Sequence, residues 1–417
     1  MRYRSIYILL MLALTASAVR AQAPMKRQVP EYAFAHFERN QLQFPGDSLA
    51  MELFFDKLDT LLFTGKGHVN IMHIGGSHVQ AGVFSQQMRD NLHNLCPGIT
   101  AGRGLVFPFM TTNTPASYII SRTGEWSYCR NAVPFDTRLG LAGASVTTSD
   151  TTASFSIVTR EKNPRDITPT FDFNLVKILG YGDLEPVVHY NDQIIKGKYN
   201  ERESSYTFRL PDYTDSLYVD FNQKPGTFTV TGVYLDNGMP GITYHGIGVN
   251  GAKVESYLNC EDFERDLRLV KPDLVIFGIG INDAAADSFT KEKFKRDYDQ
   301  LINIIHKVSP DCALLFVTNN DSYKATKKKK KTVYQVNPNG TVAQQAFMEL
   351  GKKHNAAVWD FFDIMGGLQS MAQWEDQSMA KKDKVHFTVA GYTLIGDLLY
   401  NALIDRYIKH ITHYRNY

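Results

Sequence analysis

The chain has 417 residues, 43% hydrophobic and 21% charged, an ordinary globular composition long enough for one large or two medium domains. Its 45 basic and 43 acidic residues leave a formal net charge of +2, so no electrostatic footprint points to nucleic acid as a partner. Cys96, Cys129, Cys260 and Cys312 are too widely spaced for a zinc or CxxC pattern and read as scattered thiols, although export would permit one disulfide.

Met1-Arg2-Tyr3-Arg4, the apolar run Ile6 to Leu14 and the small residues after it read as a signal peptide over residues 1–21, with cleavage after Ala21 or Ala23. No cysteine stands at the cleavage site to carry a lipid, and no later run approaches 18 unbroken apolar residues. The mature protein is therefore expected to be exported, periplasmic or extracellular, without stable membrane insertion. After a polar stretch to Pro45, the spacing of Leu49, Leu53, Phe54 and Leu58 predicts a helix capped by Asp47 or Ser48. The apolar run His68 to Ile74 predicts a strand ending on Gly75-Gly76-Ser77-His78, and a helix through Phe84, Met88 and Leu92 is expected directly after it.

From residue 106 to 241 the texture changes to short stretches of period two, such as Ala153 to Val158, Ser216 to Phe221 and Thr227 to Tyr234, separated by Gly, Pro, Asn and Asp turns. This reads as an inserted all-β sandwich. From 242 onward, apolar runs at Ile242 to Val249, Asp273 to Ile281, Cys312 to Thr318 and Ala356 to Phe361 alternate with helical patterns. Unbroken apolar strands between helices indicate a parallel sheet covered on both faces. The economical reading is one α/β domain, residues 46–105 and 242–417, interrupted by the β insertion. Lys327 to Lys331 read as a solvated loop after Asp321, or alternatively as a patch for an anionic polymer.

Ser77 closes a strand after two glycines that let the chain turn sharply, and it opens a helix whose N–H groups favour negative charge. Asp383 stands three residues before His386, a spacing at which a carboxylate can accept from one ring nitrogen and leave the other to take a proton from a serine. The same spacing recurs at Asp90 and His93, but on the helix expected after Ser77 that histidine would sit on the order of 24 Å away. Gly251 and Asn282 follow two further strands, where a free N–H and a side-chain amide can face an oxyanion, each contributing about 2.7–4 kcal/mol. Ligands of open parallel sheets bind at the carboxyl ends of strands, and these positions share that edge.

These residues resemble the SGNH, or GDSL-like, hydrolase superfamily: Ser77 matches the nucleophile block, Gly251 the second, Asn282 in Gly280-Ile281-Asn282-Asp283 the third, and Asp383 with His386 the fifth. The resemblance implies a three-layer flavodoxin-like fold and ester hydrolysis through an acyl-serine, with no metal or other cofactor. Ser77, Asp383 and His386 would form the triad, and the Ser77 and Gly251 N–H groups with the Asn282 side chain the oxyanion hole. One departure is that the family's usual Gly-Asp-Ser is here Gly75-Gly76-Ser77. The layout is also similar to bacterial peptidoglycan O-acetylesterases, whose inserted β-sandwich resembles a carbohydrate-binding module. That likeness makes an acylated glycan the expected substrate. Trp126 and Tyr128 would then stack on sugars or lie in the sandwich core. Transfer of the acyl group to a glycan, and glycan binding without catalysis, are the alternatives the sequence leaves open; oligomeric state is silent.

Overall fold

The computed structural model describes residues 25–414 apart from 96–97, 110–115, 161–168, 222–223 and 329–330. The expected signal peptide and Cys96 lie outside the described residues. Six strands form the central sheet in the order Leu42–Gln43, Ala357–Trp359, Ala313–Val317, Leu274–Gly278, His68–Gly75 and Gly241–Gly248. All neighbours are parallel except the first pair, in which Leu42 lies opposite Trp359. The short edge strand comes from a stretch with no periodic signal in the sequence.

Each central strand is buried on both faces, which explains its unbroken apolar run. One face packs on helices Leu49–Thr64, Val83–His93 and Val389–Tyr414 through residues such as Phe55, Met88, Ile276, Leu315 and Leu398. The other packs on helices Phe263–Val270, Lys291–Val308 and Asn339–Lys353 through Leu267, Tyr298, Phe316 and Phe347. This is the expected three-layer α/β fold.

Residues 104–236 supply two antiparallel sheets of five and seven strands that share one core, with Phe155, Ile157 and Val219 from one and Val176, Ile178 and Val230 from the other. The insertion is thus a β-sandwich. It also reaches the α/β part: Leu141 N–H donates to Asp266 Oδ2 at 3.1 Å, and Arg138 Nη2 lies 2.8 Å from Asp262 Oδ1.

Two sequence expectations are corrected. The helix after Ser77 is not continuous; it runs Ser77–Gln80, breaks at Gly82 (φ 80°) and resumes at Val83–His93. The lysine run is not a plain loop, because Tyr323–Lys328 and Lys331–Val336 pair as an antiparallel hairpin. Asp47 Oδ1 accepts from Leu49 N–H at 3.0 Å, while Ser48 makes no capping bond from its side chain. Cys129, Cys260 and Cys312 carry free thiols.

Candidate active site

The central strand His68–Gly75 ends between two others in a register that sets Gly248, Gly75 and Gly278 side by side. A Cβ on Gly75 would stand 2.3 Å from Val79 Cγ2, and one on Gly248 would stand 2.4 Å from Gln80 N. Three glycines abreast therefore let the turn carrying Ser77 cross the sheet edge at backbone contact distance. Tyr257 Oη donates to Gly75 O at 2.8 Å and ties that turn down from the neighbouring segment.

Ser77 is half-buried, with its Oγ 2.8 Å from His386 Nε2. On the far side of the ring, Nδ1 lies 2.8 Å from Asp383 Oδ2. A carboxylate accepts only, so Nδ1 carries the proton, and Nε2 presents its lone pair to the serine hydroxyl. Partial burial opposes ionisation of Asp383. Hydrogen bonds from the His386 side chain and from the backbone N–H groups of His386 and Val385 outweigh it and hold the carboxyl well below the usual carboxylate range. The loop bearing the pair is fixed by Lys381 N–H to His386 O at 2.7 Å and by Asn320 Nδ2 to Val385 O at 3.1 Å.

Asn282 stands across the turn, with Nδ2 3.2 Å from the place a Gly76 Cβ would occupy. One of its amide hydrogens goes to Ala252 O at 3.0 Å, leaving the second for a ligand. Gly251, exposed with φ 85°, lies in the next segment, beside Ala132 of the β insertion. Ser77, His386 and Asp383 are thus in one chain of contacts, and Asn282 and the Gly251 segment adjoin the same turn through Gly76 and Ala252. Asp90 and His93 do not join it, since Asp90 Oδ1 accepts from Gln86 and His93 Nε2 pairs with Thr100 Oγ1 at 3.2 Å. Trp126 packs edge-on against Phe155 and Phe221 of the sandwich core, and Tyr128 is half-buried against the same core.

Sequence reasoning passed over His78, although it neighbours the nucleophile. Its Nδ1 is 2.8 Å from Tyr392 Oη, and its ring centroid lies 5.3 Å from that of His386. Burial, reinforced by the nearby His386, pushes its pKa down to about 3, so it packs as a neutral ring beneath the triad histidine. Its partner is 314 positions away, and no local pattern announces the pair. A small cleft of about 40 Å³ beside these groups is lined by His78, Ile281, Asn319, Phe361, Phe387 and others.

A serine, histidine and carboxylate in relay at the carboxyl edge of a parallel sheet, next to an asparagine amide, form an arrangement that can activate the serine for attack on an acyl ester. Residues 215–394, which contain Gly251, Asn282, Asp383 and His386, match the GDSL-like Lipase/Acylhydrolase family, and the fold is that of the SGNH hydrolases. Ser77 lies outside the matched residues. A peptidoglycan O-acetylesterase of solved structure is 20% identical with a TM-score of 0.73, over 88% of this chain and 99% of that one. Looser matches are a GDSL-like lipase from Bacteroides thetaiotaomicron (15% identical, TM-score 0.28, 39% of this chain and 76% of that one) and a family two carbohydrate esterase from Cellvibrio japonicus (9%, 0.28, 70% and 100%). At 20% identity the likeness to the O-acetylesterase speaks for the fold alone. No curated protein matches the chain.

Proposed function

We propose that this chain is an exported serine esterase that removes a small acyl group, acetyl above all, from a glycan such as peptidoglycan. The observation that carries the reading is the relay of 2.8 Å contacts from Ser77 Oγ to His386 to Asp383. Ser77 Oγ attacks the ester carbonyl while its proton passes to His386 Nε2. The carbonyl oxygen becomes an oxyanion held by the Ser77 and Gly251 N–H groups and the remaining Asn282 amide hydrogen. When the tetrahedral intermediate collapses, the sugar alcohol leaves with the proton from His386. Water, deprotonated by the same nitrogen, then attacks the acyl-serine, releasing the acid and restoring Ser77. The imidazole, about one-third exposed, is open to that water.

The glycan assignment draws on the likeness to a peptidoglycan O-acetylesterase along nearly the whole chain. In this reading residues 1–21 direct export to the periplasm or beyond, and the sandwich of residues 106–241 serves as a carbohydrate-binding module. The test is acetate release from O-acetylated peptidoglycan and from p-nitrophenyl acetate. Wild type should release acetate from both, and Ser77→Ala from neither; undiminished release by Ser77→Ala would sink the assignment.

A further inference from the structure

Between Ser322 and Val336 the sequence holds six lysines and no acidic residue. The hairpin formed there sets Lys328 directly opposite Lys331. An isolated two-stranded hairpin is marginal in water, and one whose sequence is this rich in lysine gains from a counter-charge. Lys324 has one in Asp287, at 2.9 Å. Lys327 is exposed and, among the described residues, makes no ion pair.

The hairpin is rooted on the loop that carries Asp383 and His386. Tyr323 N–H donates to Lys384 O at 3.1 Å, and Lys384 Nζ stands 5.3 Å from the centre of the Tyr323 ring. Strand alternation puts Lys327 and Tyr334, which is 37% exposed, on the Tyr323 face. At about 3.3 Å per residue, Lys327 lies roughly 13 Å out from Tyr323. Lys381 and Lys382, directly before Asp383, are exposed and also without an ion pair among the described residues. Exposed positive charge therefore stands both on the hairpin and on the triad loop in which it is rooted, on a chain whose total charge is only +2.

We propose that Lys327, Lys381 and Lys382 dock a glycan polymer bearing carboxylates and feed its acylated sugars to Ser77. The inference rests on the esterase reading and adds the charge of the substrate to it. Lysines suit carboxylates as point charges, exposed tyrosine rings suit the faces of pyranoses, and positive charge beside a site raises the local concentration of an anionic substrate. A membrane surface fits less well. A hairpin that dips into lipid is rich in apolar residues, whereas residues 322–336 hold six lysines.

The experiment measures binding in the Ser77→Ala background, so that it does not depend on turnover. The probes are insoluble peptidoglycan with free carboxyls, the same material with its carboxyls converted to amides, and anionic lipid vesicles. Changing Lys327, Lys381 and Lys382 together to Gln should weaken binding to the carboxylate form about tenfold at low ionic strength. The parent should lose the same affinity in about 0.5 M salt and toward the amidated material. The matching set of Lys→Arg changes should retain binding, which separates charge from folding. Equal binding by the Gln variant, equal binding to amidated peptidoglycan, loss in the Arg set, or stronger binding to vesicles than to peptidoglycan would each overturn the proposal. Acetate release by the protein with Ser77 intact tests the esterase reading separately.

Discussion

Asp90 and His93 lie on a helix, and Asp383 and His386 lie in a loop that curls through Lys384 at φ 56°. Both pairs have the same spacing. On the helix the backbone N–H groups are committed to carbonyls one turn back, so Asp90 takes a side-chain donor from Gln86, while His93 turns to Thr100 and packs 5.3 Å from the Phe171 ring. In the loop, the left-handed residue swings the N–H groups of Val385 and His386 onto Asp383 Oδ1, each at 2.9 Å, and leaves Oδ2 for His386 Nδ1. A carboxylate held by backbone donors is ionised and fixed in direction, which an orienting acid requires. Backbone conformation, rather than spacing, separates the two pairs.

The comparison is broken most directly at the loop. His386→Ala should lower kcat about 10⁵–10⁶-fold, and Asp383→Asn about 10⁴-fold, read as p-nitrophenyl acetate hydrolysis by folded protein. A loss below tenfold for Asp383→Asn would show that the 2.8 Å contact does not orient the ring. Lys384→Val should cost about 1–2 kcal/mol through its positive φ, whereas Lys384→Gly should keep the curl and most of kcat. Comparable kcat in the two variants would remove the curl from the account.

A third measurement concerns stability near the site. Burial raises the pKa of Asp283 to about 7, even though Val254 N–H donates to it. Its folded pKa exceeds its unfolded one, so the stability of the protonated form is fully present below about pH 4 and is lost as pH rises toward 7. Asp283→Asn should flatten that fall in denaturant midpoints; an unchanged slope would exclude Asp283 as its source. The smallest effect belongs to the helix pair, where His93→Gln should leave kcat within twofold of wild type while costing about 1 kcal/mol of stability. A tenfold loss of kcat there would erase the contrast between the two pairs.

The central strands were legible because a strand buried on both faces writes an unbroken apolar run, and Ser77, Gly251 and Asn282 follow the ends of three such runs. The break at Gly82 was not, since long-range packing decides it: a Cβ there would stand 3.1 Å from the backbone N of Ser117 in the insertion. The hairpin of lysines escaped for the opposite reason, because its pairing is made by backbone bonds and leaves no apolar pattern to read. The edge strand Leu42–Gln43 is two residues long, shorter than any periodicity, and the pair of His78 and Tyr392 has only tertiary meaning.

The insertion touches the α/β part where Ala132 borders Gly251 and where a Cβ on Gly143 would come within 2.9 Å of Val249 Cγ2. The sandwich is therefore not a detachable cassette. Grafting it onto another hydrolase, or excising it to make a minimal enzyme, would uncover the segment that presents Gly251, so both halves of this chain must be redesigned together.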